Sequence, residues 1–230
     1  TSAVSLDNTY NKVSIFFNFG TAGATAGEQV FYWDDAMWTG QTNEGLGGPA
    51  RPILPITFDL PAEEVDYTLT DFGGTFSILG VDPADATNVV AISQKSGTAE
   101  LWAGTTMSSP SGLGEPIPVT ANDTKMSVRV YSPDAGIPVR LKIEDKTDPT
   151  KSVETEAMTT VANAWETLVF DFANQADGTA ALNPDYTFDL ASIFFNFGTT
   201  GADAGEKIYY WDDVTFGAEV DDTPRSTGED

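Results

Sequence analysis

Val128-Arg-Val-Tyr-Ser-Pro-Asp-Ala-Gly-Ile-Pro-Val-Arg-Leu-Lys-Ile-Glu144 contains two runs of strict alternation around a turn. Val128 and Val130 alternate with Arg129 and Tyr131, and Val139, Leu141 and Ile143 alternate with Arg140, Lys142 and Glu144. Successive side chains of a strand point to opposite faces, so this period of two predicts strands buried on one face and polar on the other. The segment Ser132-Pro-Asp-Ala-Gly136 between them is turn chemistry: proline presets φ, aspartate bonds to nearby backbone and glycine accepts positive φ. The same pattern recurs outward from this stretch, in Ile56, Phe58 and Leu60, in Leu168, Phe170 and Phe172, and in Ile193, Phe195 and Phe197. Asp82-Pro-Ala-Asp85, Ser108-Ser-Pro-Ser-Gly112 and Asp145-Lys-Thr-Asp-Pro149 punctuate the runs. No stretch supports a long amphipathic helix. Many short strands without strand–helix–strand alternation predict an all-β fold, a two-sheet antiparallel sandwich of jelly-roll type.

A broken internal repeat organises the chain. Ser14-Ile-Phe-Phe-Asn-Phe-Gly-Thr21 returns as Ser192-Ile-Phe-Phe-Asn-Phe-Gly-Thr199, an offset of 178 residues, and 17 of the 22 positions from Ser14 to Asp35 match Ser192 to Asp213. Residues 1–40 are therefore expected to be the C-terminal strands of a preceding repeat whose earlier strands are absent. Residues 41–52, rich in Gly and Pro, read as a linker, residues 53–217 as one complete module, and residues 218–230 as an acidic tail. The two orphan strands of residues 1–40 are too apolar to stand alone in water, and are expected to pair within the chain or by strand exchange between chains.

Composition removes whole classes of function. The 230 residues include no Cys and no His, so a disulfide framework, a thiolate metal site, a Ser-His-Asp triad and the commonest general base are all excluded. Thirty-five acidic residues against 11 basic ones give a net charge of −24, which repels nucleic acid and anionic membranes. Apolar residues at 40% and aromatics at 11% are too plentiful for disorder and supply a core without staples. No apolar run reaches membrane-spanning length.

Ala99-Glu-Leu-Trp-Ala-Gly-Thr105, Val128-Arg-Val-Tyr-Ser-Pro133, Arg140-Leu-Lys-Ile-Glu144, Ala162-Asn-Ala-Trp-Glu-Thr-Leu-Val-Phe-Asp-Phe172 and Tyr209-Tyr-Trp-Asp-Asp-Val214 follow one another in an informative order. Together they resemble the jelly-roll carbohydrate-binding modules of the broad group containing families 4, 9 and 22, found beside glycoside hydrolases and in surface glycan-binding proteins of marine bacteria. The resemblance covers residues 53–217. It implies a galactose-binding-like sandwich, a glycan site on a concave sheet face or at loop tips, and often a structural calcium.

Candidate site residues follow from parity. Trp102 alternates with Leu101 and Ala103, so with those two in the core Trp102 and Glu100 face outward. An exposed indole stacks on the apolar face of a sugar ring while neighbouring polar groups read hydroxyls; the alternative is that a loop or sheet edge covers it. Arg129, Tyr131, Arg140, Lys142 and Glu144 take the non-core parity of their strands, either as a face that donates to sugar hydroxyls or a uronate, or as a ladder of cross-strand ion pairs. Trp165 is expected to plug one end of the sandwich. Phe194, Phe195, Phe197, Tyr209, Tyr210 and Trp211 are too dense for one site and read mostly as core.

Asp212 and Asp213 adjoin near the end of the last strand, and Asp59 lies in the first; a jelly roll sets these strands side by side, so the three carboxylates are candidates for a calcium site. The alternative is a bulge whose aspartates bond to backbone amides. Paired carboxylates can run glycoside hydrolysis, but no compact acidic motif of that kind occurs. The sequence therefore points to a non-catalytic, secreted or cell-surface module that binds a polysaccharide, a β-glucan or a uronate-containing glycan, with a tandem copy of itself and a linked glycan-degrading enzyme as its expected partners. The other reading is a structural repeat of a calcium-dependent adhesin or surface fibre.

Overall fold

The computed structural model describes residues 49–218 together with Ile15, Phe17 and Thr25. The orphan strands expected in residues 1–40, most of the linker and the tail after Ala218 lie outside the described residues. The chain divides into two compact units, Thr1–Gly45 and Leu46–Asp230. The described strands of the second unit are β1 (Thr70–Phe72), β2 (Thr75–Val81), β3 (Val89–Lys95), β4 (Gly104–Thr106), β5 (Lys125–Tyr131), β6 (Pro138–Asp145), β7 (Asp148–Met158), β8 (Trp165–Asp171), β9 (Leu190–Phe195) and β10 (Lys207–Phe216), with a single helical turn, α1 (Gly201–Ala204), before the last.

These strands form two five-stranded sheets, β1-β4-β9-β6-β7 (sheet I) and β2-β3-β10-β5-β8 (sheet II), with antiparallel pairing throughout. This is the expected jelly-roll sandwich. Parity places the core: Val139, Leu141 and Ile143 of β6 and Ile193 and Phe195 of β9 meet Met126, Val128 and Val130 of β5 and Tyr209 and Trp211 of β10 between the sheets. Phe195 stacks flat on Tyr209 across the gap, centroids 4.5 Å apart. Burial raises the Tyr209 phenol's pKa, with the charge of Asp134 adding to the effect.

β10 breaks its own alternation. The register slips between Asp212 and Thr215, and Asp213 takes φ 49°, so Val214 rather than Asp213 turns into the core. One extra residue in a bulge restores the buried parity that the Asp-Asp pair would otherwise spoil.

Three expectations are corrected here. Ile56, Phe58 and Leu60 do not make a strand: Ile56 alone bridges Val214, Phe58 sits at φ 56° and Leu60 is exposed. The segment around Trp102 is a turn, not an alternating strand. Ala50 to Pro52, assigned to the linker by composition, are bonded into the module, since Ala50 bridges Val65 and the Pro52 carbonyl accepts from the Gly114 N–H.

Polar ties cross the sandwich at one end. The Trp211 indole N–H donates to Ser93 Oγ, which lies 2.8 Å from Ser77 Oγ; Ser77 Oγ in turn lies 2.8 Å from Thr105 Oγ1, which donates to Asp71 Oδ1. Lys95, inward-facing on β3, crosses to sheet I and donates through Nζ to the carbonyls of Phe195 and Asn196 at 3.1 and 2.9 Å. Asn196 is left-handed (φ 47°), so β9 ends there and those carbonyls need a donor from outside the ladder.

Burial pushes the Lys95 ammonium down to about 8. In the unfolded chain the same amine keeps its proton to the ordinary lysine range, so between the two values the unfolded state binds more protons and stability rises with pH. Below about 8 the cost of the buried charge is fully present. Thermal melts should therefore show the native chain gaining stability relative to Lys95→Met between pH 8 and 10; parallel pH curves for the two proteins would refute this.

Candidate binding face

Sheet I presents a grid of outward side chains. Phe72 lies opposite Gly104, Phe194 opposite Arg140, and Arg140 opposite Glu156. The next row is Thr106, Ser192, Lys142 and Glu154, and the one after is Leu190, Glu144 and Ser152. One side of this grid is aromatic and the other charged.

The aromatic side depends on a missing side chain. A Cβ on Gly104 would stand 2.7 Å from Phe194 Cδ1 and 2.8 Å from the Ile193 carbonyl, so only glycine lets the Phe194 ring lie over β4. Phe194 meets Phe72 and Phe197 edge-on at 5.4 and 5.7 Å, and Phe72 carries the Trp102 indole nearly parallel, 15° between planes at 6.3 Å. The loop bearing Trp102 is pinned on three sides: the Glu100 N–H donates to the Gly73 carbonyl, the Gly198 N–H to Leu101 and the Gly201 N–H to Ala99. Gly201 opens α1 directly against this loop, where a Cβ would collide with the Ser96 carbonyl. Held this way, Trp102 is 47% exposed, with one face on Phe72.

The charged side is cross-linked. The Arg140 guanidinium donates to Glu154 at 2.7 Å and Glu156 at 2.9 Å, and its carbon lies 3.5 Å from the centre of the Phe197 ring. Lys142 Nζ donates to Glu144 Oε2 at 2.6 Å. These are charge-assisted bonds between half-buried groups, and the Arg140 side chain is only 11% exposed. A planar guanidinium stacked on a ring and forked between two carboxylates has one available orientation.

The other sequence-derived residues lie elsewhere. Arg129 and Tyr131 belong to β5, on the outer face of sheet II, the opposite side of the sandwich from Arg140, Lys142 and Glu144. Proximity along the chain misled, because the turn at Ser132–Gly136 carries the polypeptide from one sheet to the other. On sheet II Arg129 lies over the Trp165 ring at 4.3 Å and 3.8 Å from Asp82, and the Trp165 N–H donates to Asp82 Oδ1 at 2.9 Å. Tyr131 meets both Trp165 and Tyr210 edge-on. Trp165 thus begins β8 on an outer face rather than plugging the end of the core. Glu100 is exposed in the Trp102 turn. Glu154, Glu156, Phe72, Phe194 and Phe197 were not assigned to the site from sequence; the alternation of Val153 and Thr155 with Glu154 and Glu156 was a readable signal for two of them.

Asp59, Asp212 and Asp213 do not assemble a carboxylate cage: among the described residues no three acidic side chains converge to hold a metal ion. Asp212 is fully buried, accepts from Asn88 Nδ2 at 3.1 Å through one oxygen and from the Asp213 N–H at 2.8 Å through the other. This is the bulge arrangement, with the carboxylate satisfied by protein donors.

No family model and no curated protein matches the chain. Among solved structures it is similar to the family 11 carbohydrate-binding module of a cellulosomal cellulase of Clostridium thermocellum, at 14% identity and TM-score 0.44 over 70% of this chain and 90% of that one. A family 29 module complexed with mannohexaose aligns at 9% identity and TM-score 0.40 over 65% and 79%. An exo-β-agarase aligns at 8% identity and TM-score 0.46 over 73% of this chain and 26% of its own. The modules among these belong to families 11 and 29, whereas the sequence motifs pointed to the group of families 4, 9 and 22.

Gly104→Ala should displace Phe194 and, through Phe72, tilt Trp102. Overpacking of this kind costs about 1–3 kcal/mol, so the variant should melt lower and shift the Trp102 fluorescence. An unchanged melt and spectrum would show that the ring stack does not depend on this glycine.

Proposed function

We propose that the outer face of sheet I binds a polysaccharide and that the unit is a non-catalytic carbohydrate-binding module. The observation that carries this is the exposed Trp102 plate, backed by Phe72 and continuous through Phe194 and Phe197 with the fixed Arg140 fork. A sugar ring laid on the indole places its hydroxyls toward a surface of guanidinium, ammonium, carboxylate and hydroxyl groups. Glu154 and Glu156 are both held by Arg140, an arrangement that serves recognition rather than proton transfer.

The same geometry favours an uncharged glycan such as a β-glucan over a uronate polymer. Two cations on this face stand against three carboxylates. All nine lysines and arginines among the described residues are engaged: seven lie within ion-pair distance of a carboxylate, Lys95 bonds two carbonyls, and Arg51 donates to Ser111. Among the described residues no cation is left without such a partner to meet a polyanion, and the net charge of −24 repels one. A polymeric ligand also fits a secreted or surface protein with tandem modules, where linkage raises avidity. Among the described residues no helix is long and apolar enough to cross a membrane.

Isothermal titration with a neutral β-glucan and with alginate, each at low and high salt, tests this. Glucan binding should survive high salt. Trp102→Ala should weaken it roughly fivefold, the loss of a stacking contact on the order of 1 kcal/mol, with an unchanged melting curve. Undiminished affinity in Trp102→Ala would remove the plate from the site; salt-sensitive alginate binding would overturn the uncharged ligand.

A further inference from the structure

Packing alone does not explain Lys95. Among the described residues it is the only lysine or arginine that is buried, at 2% exposure, and it takes the inward parity of β3. Its register neighbours are Thr75 on β2 and Lys207 on β10, and Lys207 turns away to Asp134 at 2.9 Å. Among the described residues no carboxylate lies within ion-pair distance of the Lys95 ammonium. An ammonium buried without a counter-charge costs stability that an apolar side chain of the same length does not. What an apolar chain cannot do is hold two successive carbonyls, and Lys95 Nζ donates to those of Phe195 and Asn196 at 3.1 and 2.9 Å.

We propose that Lys95 is a positioning residue for the glycan face, an inference that rests on sheet I being that face. The Asn196 residue between the two carbonyls has φ 47° and turns the chain out of the β9 ladder. Phe197 follows at once, with the Arg140 guanidinium 3.5 Å above its ring and Phe194 against its edge. Gly198 comes next, at φ 84°, and its N–H donates at 2.9 Å to the carbonyl of Leu101, the residue before Trp102. The Gly201 N–H then donates to Ala99 at the start of the same loop, at 2.8 Å. A left-handed residue other than glycine is strained and persists where its surroundings over-determine it; here the two Nζ bonds do so. Rotating the peptide between Asn196 and Phe197 would break the Nζ bond and the 3.3 Å bond from the Phe197 N–H to Pro138 together, and would release the ring from Arg140. One ammonium thus governs both the Arg140 stack and the Trp102 loop without reaching the surface.

The chain has no cysteine, so Lys95→Cys can be alkylated at a single position in denaturant and then refolded. Aminoethylation rebuilds a side chain of lysine length ending in an ammonium, whereas propylation ends the same length in a methyl group. In calorimetric titration at neutral pH with a soluble neutral β-glucan, the aminoethylated chain should bind as the native one does. The propylated chain should bind about fivefold more weakly, the loss expected of Trp102→Ala. Equal affinities of the two refolded proteins overturn the proposal, because packing is then sufficient. Should the propylated chain not refold, the native chain carrying isotope-labelled lysine gives a second reading. Saturating glucan should shift the Lys95 Nζ resonance, which no sugar can touch, and an unmoved resonance refutes the role. A native chain that binds no glucan overturns the glycan face itself, on which the role depends.

Discussion

Two stacked sheets can bury one face of each, and the role of every strand residue in this protein depends on which side it takes. β10 shows how strict the constraint is. Tyr209 and Trp211 point inward, Tyr210 and Asp212 outward, and a bulge at Asp213 is inserted so that Val214 can return to the core. A fully buried aromatic such as Trp211 contributes on the order of 3 kcal/mol or more, more than the local strain of one left-handed residue, about 1–3 kcal/mol. Burial therefore outweighs backbone regularity, and the bulge is the compromise.

The layers are also joined by polar bonds that ordinary sandwich packing does not require. Lys95 reaches from sheet II to the terminal carbonyls of β9, and the Trp211–Ser93–Ser77–Thr105–Asp71 chain spans the same two sheets. Both ties flank the loop that carries Trp102: Lys95 precedes it in the chain and Thr105 follows it. The core thus fixes the frame on which the exposed indole is mounted.

The two outer faces have different chemistry because different neighbours cover them. On sheet I Arg140 meets Glu154 and Glu156 of β7 across the strands and Lys142 meets Glu144 two residues along its own strand, all within 3 Å, so the face is polar but internally neutralised. On sheet II the loop from Asp82 to Asn88 folds over Arg129, Trp165 and Asp212 and uses their polar atoms, leaving the β2 side apolar and open.

The sequence by itself determined the fold class and the parity of most strands, because a period of two is a local property: the alternation of Val139, Leu141 and Ile143 with Arg140, Lys142 and Glu144 has one buried solution. It also showed the absence of histidine and cysteine chemistry, but the parity argument for Trp102 failed, since Leu101 and Trp102 are both exposed on a turn. It did not show which sheet each strand joins. Arg129 and Arg140 are 11 residues apart and lie on opposite faces, since pairing is set by contacts distant in the chain. Only the tertiary structure joined Trp102 to Phe72, Phe194 and Phe197 through the space above Gly104, and matched Arg140 to Glu154 and Glu156. It also set Asp212 and Asp213 in a bulge, because buried carboxylate oxygens take the nearest protein donors: for Asp212 these are the Asp213 N–H and the side-chain amide of Asn88 from the β2–β3 loop.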